Sequence, residues 1–326
     1  MKANDTTEEW MREDPVVDYL MALDSGTSAR GREKRSGRML ALPAVRALVR
    51  DVSIDPWPPI NSHRSAQHPL HKLSFLAELG ASGEELGVEG VLDRIIASVG
   101  EEGVPRLPMS ISRSHGGSGD AILSWALCDT PTLVYSAIKL GRGDDPAIRS
   151  AVRQLTSLAS PNGYRCVTST SLGGFRGPGR KEDPCPYATL LMLKLLSLVA
   201  PSSEEAGRAG VCLLDLWEHS LTKHPYIFYM GTDFRKLKYP LVWYDIMHVA
   251  EVLTRSGRSR DDPRLQDMLG VIAGQGDEMG RYTPGSVWLP WRDWDFGQRK
   301  VPSRLLTYAV HRILSRYDSL DISDGV

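Results

Sequence analysis

The residue types best suited to chemistry lie in a glycine-rich, basic segment before an apolar helix, GFRGPGRKEDPCPY at 174–187. Asp183 and Cys185 stand two positions apart, so a carboxylate and a thiolate can both reach one cation. A bound metal ion would lower the pKa of the thiol and make the thiolate available as a ligand. The pair therefore predicts part of a metal site.

Positive charges in the same segment indicate an anion site. Arg176, Arg180 and Lys181 stand on the glycine-rich loop, beside the N-terminus of the following helix. Guanidinium and ammonium groups next to the unpaired N–H groups of a helix N-terminus attract phosphate-like anions. We therefore expect these three side chains to bind substrate.

A second basic stretch, GTDFRKLK, occupies 231–238 just before another apolar segment. Its Arg235 and Lys236 either complete the anion site or belong to a solvated loop. Both interpretations fit the residue types, so the two side chains are candidates for substrate binding.

The apolar segment YPLVWYDIMHVAEVL at 239–253 supplies the next candidates. Asp245 and His248 are three residues apart and share one polar stripe of an otherwise apolar helix. His248 is the candidate third metal ligand beside Asp183 and Cys185. Asp183, Asp245 and His248 are the candidate catalytic groups.

The alternative interpretation of these residues is structural. A cysteine before a helix is commonly a small buried apolar group, and an aspartate there is commonly a helix cap. A histidine in a helix core is commonly a hydrogen-bonded packing residue. On that interpretation the residues form no ligand set.

Prolines followed by apolar runs predict the helices that position these groups. Proline is favoured at the first position of a helix, where its missing N–H costs nothing. Such starts recur about 50 to 60 residues apart, a period typical of repeat architectures. They lie at Pro69, Pro131, Pro186, Pro240 and Pro302.

Each repeat pairs two kinds of helix. The first is apolar almost all round, as in PYATLLMLKLLSLVA at 186–200, and the second is amphipathic, as in DPAIRSAVRQLTSLAS at 145–160. A helix that is apolar all round is buried, whereas an amphipathic one faces water on one side. We predict an all-α fold in which about five such pairs close into an α/α toroid, with an open solenoid as the competing arrangement.

The domain prediction is an N-terminal helical cap with a basic linker over 1–60 and the toroid over 61–326. The basic run at 30–38, RGREKRSGR, belongs to that linker. A formal net charge of -1 gives no electrostatic footprint for nucleic acid. The oligomeric state is left open.

Other features of the sequence point to the cytoplasm. The acidic start, MKANDTTEEWMREDP, is unlike a secretory signal, and no run of 18 apolar residues predicts a membrane span. Four cysteines in 326 residues are too few for a disulfide framework, which indicates a reducing compartment.

Short glycine–aromatic turns follow the amphipathic helices, SPNGYRC at 160–166 and GDEMGRY at 276–282. With the helix-pair period, they resemble the Gln-Trp repeats of terpenoid cyclases and protein prenyltransferase β subunits, although tyrosine replaces tryptophan. The resemblance covers roughly 65–315 and also suggests a prokaryotic branch of such toroids. It implies a central cavity for an isoprenoid or another apolar small molecule.

The segment before the helix at 186–200 resembles the prenyltransferase stretch in which an Asp-any-Cys pair is followed by Tyr. The resemblance implies zinc on Asp183 and Cys185, and an isoprenoid diphosphate held by Arg180 and Tyr187. In that family a zinc-binding histidine follows an aromatic–Tyr pair. Tyr244 matches the tyrosine of that pair and is a candidate for substrate binding, but the histidine position holds Asp245.

Three functions therefore compete. The first is a prenyltransferase-like or terpenoid-handling enzyme that acts on an isoprenoid diphosphate. The second is a noncatalytic toroid that binds a lipid or a peptide in its cavity. The third is a carbohydrate-active enzyme in which Asp183 and Asp245 act as acid and base.

Overall fold

The computed structural model describes residues 4–177, 180–225, 227–255, 257–259 and 261–319. The chain divides into two compact units, Met1–Ala47 with Met230–Val326 (unit 1) and Leu48–Tyr229 (unit 2). The described part is mostly helical, which confirms the all-α class. The closed ring and the domain boundary at residue 60 stay predictions.

Unit 2 contains paired helices and two small antiparallel strand pairs. The strands β1 (Leu107–Ser110) and β2 (Ala121–Ser124) form one pair, and β3 (Ala159–Ser160) and β4 (Gly163–Tyr164) form the other. The helices of this unit are α5 (Pro69–Glu78), α6 (Gly83–Leu86), α7 (Glu89–Ala97), α8 (Thr130–Ala137), α9 (Pro146–Thr156), α10 (Pro186–Val199) and α11 (Glu204–His219).

The apolar helices of unit 2 pack against one another. Helix α8 lies beside both α5 and α10, and the amphipathic α9 and α11 pack onto α8 and α10. Every residue of α8 is buried, whereas α9 buries only Ile148, Ala151 and Leu155. The predicted alternation of a buried and an amphipathic helix is therefore confirmed in this unit.

Unit 1 contains three further packed helices and an N-terminal group. Helix α14 packs against both α12 and α13, and α2 packs against α3. The helices are α1 (Asp5–Arg12), α2 (Pro15–Asp24), α3 (Ala29–Leu40), α12 (Ile246–Leu253), α13 (Pro263–Ala273) and α14 (Arg304–Ser319), with α4 (Pro43–Ser53) running across the division between the units.

The basic run at 30–38 lies within α3. Arg35 Nε donates to Asp18 Oδ1 at 3.0 Å, and Arg38 Nη1 donates to Asp18 Oδ2 at 3.2 Å. Because Asp18 belongs to α2 and is 7% exposed, these ion pairs hold α3 against α2.

Proline marks three of the predicted helix starts. Helices α5 and α10 begin at Pro69 and Pro186, and Pro131 is in the first turn of α8. The predicted start at Pro240 is wrong, because α12 begins only at Ile246, where Asp245 accepts the N–H of His248 at 3.0 Å.

The glycine–aromatic turns occupy equivalent positions in the two units. Tyr164 N–H donates to Thr189 Oγ1 at 3.0 Å, and Tyr282 N–H donates to Thr307 Oγ1 at 2.9 Å. The two members of each pair are 25 residues apart in sequence. Each turn is therefore attached to the first turn of the next buried helix, which supports the predicted repeat.

Gly163 is required by this geometry in β4. Its φ is 115°, and an added Cβ would lie 3.1 Å from Cys212 Sγ and 3.1 Å from Thr189 Oγ1. Both the backbone conformation and the space exclude a larger side chain.

We expect Gly163→Ala to lower the free energy of unfolding by about 2–4 kcal/mol, from backbone strain and overpacking combined. Urea denaturation followed by circular dichroism measures the change. Gly87→Ala is the matched control, because Gly87 has a φ of 69° but nothing within 4 Å of its added Cβ. The free energy of unfolding of the control should fall by only about 1–2 kcal/mol, because of its left-handed backbone conformation. Equal losses in the two variants would contradict the packing argument.

Among the described residues, no helix combines the length and apolar character needed to cross a membrane.

Candidate functional site

Three cysteines of unit 2 meet at the N-terminal ends of α8 and α10. Cys128 precedes α8, Cys185 is the N-cap residue of α10, and Cys166 follows β4. Cys128 Sγ lies 4.0 Å from Cys185 Sγ, and Cys128 and Cys166 interact closely enough to shift each other's pKa. All three thiols are free. We call Cys128, Cys166 and Cys185 the thiol cluster.

Backbone hydrogen bonds hold the segments of the thiol cluster side by side. Leu127 N–H donates to Val167 O at 2.9 Å, which ties the residue before Cys128 to the residue after Cys166. Cys185 N–H donates to Tyr164 O at 2.7 Å. The sulfurs are thus brought together by extended segments that run beside each other, although they are far apart in sequence.

A histidine–aspartate pair borders the thiol cluster. His63 Nδ1 lies 2.9 Å from one carboxylate oxygen of Asp129 and 3.0 Å from the other. Because a carboxylate accepts, Nδ1 carries the proton in this pair. His71 Nε2 donates to His63 O at 3.1 Å and so holds the backbone of this segment against α5.

The electrostatics of this region favour charge on His63. Burial lowers the pKa of His63, but the Asp129 carboxylate, together with Cys185 and Cys166, outweighs burial, so the pKa of His63 is raised. Burial, assisted by the neighbouring His68 and His63, lowers the pKa of His71 to about 4. His71 is therefore a neutral hydrogen-bond donor, whereas His63 can hold a positive charge beside the sulfurs.

Within the thiol cluster, the pKa of one cysteine is raised and the pKa values of the other two are lowered. Hydrogen bonds to Cys166 and Cys185 raise the pKa of the Cys128 thiol. The hydrogen bond from Cys128, supported by Gly177 N–H at 2.8 Å from the sulfur, lowers the pKa of Cys166 to about 6. The bond from Cys128 also lowers the pKa of Cys185, and N–H groups of the first turn of α10 support that shift.

The fourth cysteine behaves differently. Cys212 lies on α11, where burial raises its pKa to about 12. Its ordinary buried thiol shows that the low pKa values arise from the thiol cluster itself.

The predicted basic loop lies directly before α10. Arg176, Arg180 and Lys181 are exposed, whereas Pro178 and Gly179 fall outside the described residues. The charge of Arg176 helps to lower the pKa of Cys166, which links the loop electrostatically to the thiol cluster.

The other two predicted residues of this segment have different environments. Asp183 is half-buried, and its Oδ2 accepts the N–H of Arg180 at 2.9 Å. Tyr187 is 1% exposed, and its ring centre lies 6.4 Å from that of His63. Of the predicted candidates, Cys185 thus belongs to the thiol cluster and Tyr187 lies next to it.

The remaining predicted catalytic groups lie in unit 1. Burial raises the pKa of Asp245 to about 7, although His248 N–H donates to its carboxylate. His248 Nδ1 donates to Trp243 O at 2.9 Å. Asp245 and His248 thus share a capped helix N-terminus. The ligand set of Asp183, Cys185 and His248 draws on both units and stays a prediction.

The predicted substrate-binding residues of unit 1 have local partners. Arg235 Nε donates to Met230 O at 3.4 Å, and Lys236 Nζ lies 3.1 Å from Asp233 Oδ1. Tyr244 is buried, with its ring centre 5.3 Å from that of Phe234.

None of His63, Cys128, Asp129 and Cys166 is among the candidate site residues that the sequence predicts. The available signal was the set of cysteines at turns that precede or follow buried helices. As the side chains lie, the described residues contain no group of three or more His, Cys, Asp and Glu that could hold a metal ion.

The sequence matches no protein-family model and no curated protein.

Proposed function

We propose that the chain is a prenyltransferase-like or terpenoid-handling enzyme that binds an isoprenoid diphosphate beside the thiol cluster. The observation that carries the proposal is the meeting of low-pKa cysteines, a His–Asp pair and a basic loop at the N-terminus of α10. Such a concentration of perturbed groups is typical of functional sites.

The basic loop supplies the diphosphate-binding part of this proposal. Arg176, Arg180 and Lys181 would neutralise a diphosphate and stabilise the charge that develops as it leaves. The N-terminus of α10 adds the positive end of the helix dipole. These side chains are exposed, so a polar head group can reach them from solvent.

Zinc is the cofactor that the resemblance implies. The sulfur of Cys185 suits zinc, whereas the Asp183 carboxylate already accepts the N–H of Arg180. A zinc ion would act as a Lewis acid and keep a thiolate deprotonated. The proposal needs reduced thiols, and the cytoplasm is the compartment that provides them.

Binding of inorganic pyrophosphate and of farnesyl diphosphate to the full chain tests the function. We expect both to bind in isothermal titration calorimetry, and farnesyl diphosphate to bind more tightly. The double variant Arg176→Gln/Arg180→Gln should weaken both by about tenfold or more, since a hydrogen bond to a charged group contributes about 1.5–3 kcal/mol.

Arg153→Gln is the matched control, because Arg153 is an exposed arginine on α9. It should bind both ligands as the parent does. Absence of binding to the parent, or equal affinities in the double variant and the parent, would contradict the proposed function. Release of pyrophosphate from farnesyl diphosphate then separates an enzyme from a noncatalytic binding protein.

A further inference from the structure

The thiol cluster and its histidine have the composition of a metal site that differs from the one predicted from sequence. We propose that Cys128, Cys166, Cys185 and His63 together bind one Zn²⁺ ion. The inference rests on the proposed function only in that both use the thiol cluster, and it requires no isoprenoid ligand.

The sulfur positions suit zinc. A Zn–S bond is about 2.3 Å long, so two sulfurs of a tetrahedral site lie about 3.8 Å apart. Cys128 Sγ and Cys185 Sγ are 4.0 Å apart. A Cβ added at Gly177 would lie 3.3 Å from Cys166 Sγ and 4.0 Å from Cys185 Sγ. All three sulfurs therefore occupy one small volume, beside a glycine that leaves room for them.

His63 is suited to be the fourth ligand. Its Nδ1–H is directed to Asp129, which leaves the lone pair on Nε2 as the available donor. Metal-binding histidines usually donate their other ring nitrogen to a carboxylate in this way, which orients the ring. The His63 ring centre lies 6.3 Å from that of Phe175 and 6.4 Å from that of Tyr187, so the ring is beside the segments that carry Gly177 and Cys185.

The surroundings stabilise negative charge on sulfur. Gly177 N–H points at Cys166 Sγ, and N–H groups of Tyr187 and Ala188 act on Cys185. Cys128 and Cys185 are only 6% and 3% exposed. A thiolate formed in such a buried position is stabilised by a cation, and a divalent ion bound through the sulfurs provides one.

As the side chains lie, no three His, Cys, Asp or Glu of the described residues form a group that could hold a metal ion. Zinc binding at the thiol cluster therefore requires the cysteine side chains to reorient and to lose their protons, because only the thiolate is a ligand. Cys128 Sγ and Cys185 Sγ are already 4.0 Å apart, so rotation about the Cα–Cβ bonds would direct these two sulfurs at one ion.

The repeat in unit 1 offers an internal comparison. Cys185 N–H donates to Tyr164 O at 2.7 Å, and Ser303 N–H donates in the same way to Tyr282 O at 3.0 Å. Ser303 Oγ accepts the N–H of Leu306 and caps α14. Serine is a preferred N-cap residue, whereas cysteine is not. Capping alone therefore does not account for the cysteine in unit 2.

Metal content of the purified full chain tests the proposal. We expect about one Zn²⁺ per chain by mass spectrometry after incubation with zinc and removal of the excess. Cys128→Ser, Cys166→Ser and His63→Ala should each lower the bound zinc strongly. Asp129→Asn should weaken zinc binding by about 10–100-fold, because Asp129 is a positioning residue for His63.

Cys212→Ala and His248→Ala are the controls, and both should keep the full zinc content. Cobalt substitution of the parent protein gives a second readout that does not depend on any variant folding. Thiolate-to-cobalt charge-transfer absorption should appear and should fall when Cys166, which is half-buried, is replaced by serine.

Absence of zinc and of the cobalt absorption from the parent protein would overturn the proposal. Zinc that is retained in the Cys128 and Cys166 variants but lost in His248→Ala would overturn it in favour of the ligand set predicted from sequence. Zinc binding without any diphosphate binding would contradict the proposed function but support this metal site.

Discussion

Replacing Lys194 with methionine is expected to lower the free energy of unfolding by about 3–5 kcal/mol. Lys194 lies in the middle of α10 and is 3% exposed, and its Nζ is 3.2 Å from Glu78 Oε1. Tyr135 OH donates to the same carboxylate oxygen at 2.7 Å. The variant removes the Lys194 cation from beside the Glu78 carboxylate, whose side chain is only 14% exposed.

A double variant separates this cause from simple loss of packing. Lys194→Met/Glu78→Gln removes both charges, and exchange of a buried ion pair for neutral groups is often neutral or stabilising. We therefore expect urea denaturation to show most of the lost stability recovered in the double variant. If the double variant were as unstable as Lys194→Met, the burial of an unbalanced carboxylate would not be the cause.

Asp245→Asn is expected to stabilise the protein at pH 8 by up to about 4 kcal/mol. Burial raises the pKa of Asp245 from its usual 3.8 to about 7. Between these values the folded state keeps a proton that the unfolded state has released, so the stability falls as the pH rises. The loss is complete above about pH 7. Asparagine cannot ionise, yet it still caps a helix.

Urea denaturation of both proteins at a series of pH values from 4 to 8 measures this effect. The difference between Asp245→Asn and the parent should be small near pH 4 and should grow through pH 7. Asp145→Asn is the matched control, because Asp145 caps α9 in the same way but is only half-buried. A pH-independent difference for Asp245→Asn would contradict the raised pKa.

The helix starts were the most predictable part of the fold. At Pro69 and Pro186 a proline without an N–H precedes a long apolar run, so local chemistry and burial favour the same start. At Pro240 the local sequence pattern and the tertiary contacts favour different helix starts. The backbone N–H of Ile246 donates to Phe234 O at 3.0 Å, and Trp288 Nε1 donates to Pro240 O at 3.1 Å. These distant partners, which no local pattern contains, keep the segment before Asp245 out of the helix.

The candidate site was predictable only in part, for the same reason. Asp183 and Cys185 stand out because they are close in sequence and precede a helix. Cys166 and His63 are separated from Cys185 by long stretches of chain, and backbone pairing such as Leu127 to Val167 brings the segments together. A sequence pattern cannot specify such pairing between short extended segments.

The shared turn geometry of the two repeats has a consequence for how chemistry can be acquired. Cys185 and Ser303 occupy the same place before a buried helix, and both donate to a tyrosine carbonyl. Replacing a serine hydroxyl with a cysteine thiol at this position changes the reactivity of the residue before the helix. The packing of the apolar helix that follows stays the same. In such a repeat, the residue before each buried helix can vary independently of the core. A reactive centre can therefore arise there by stepwise substitution.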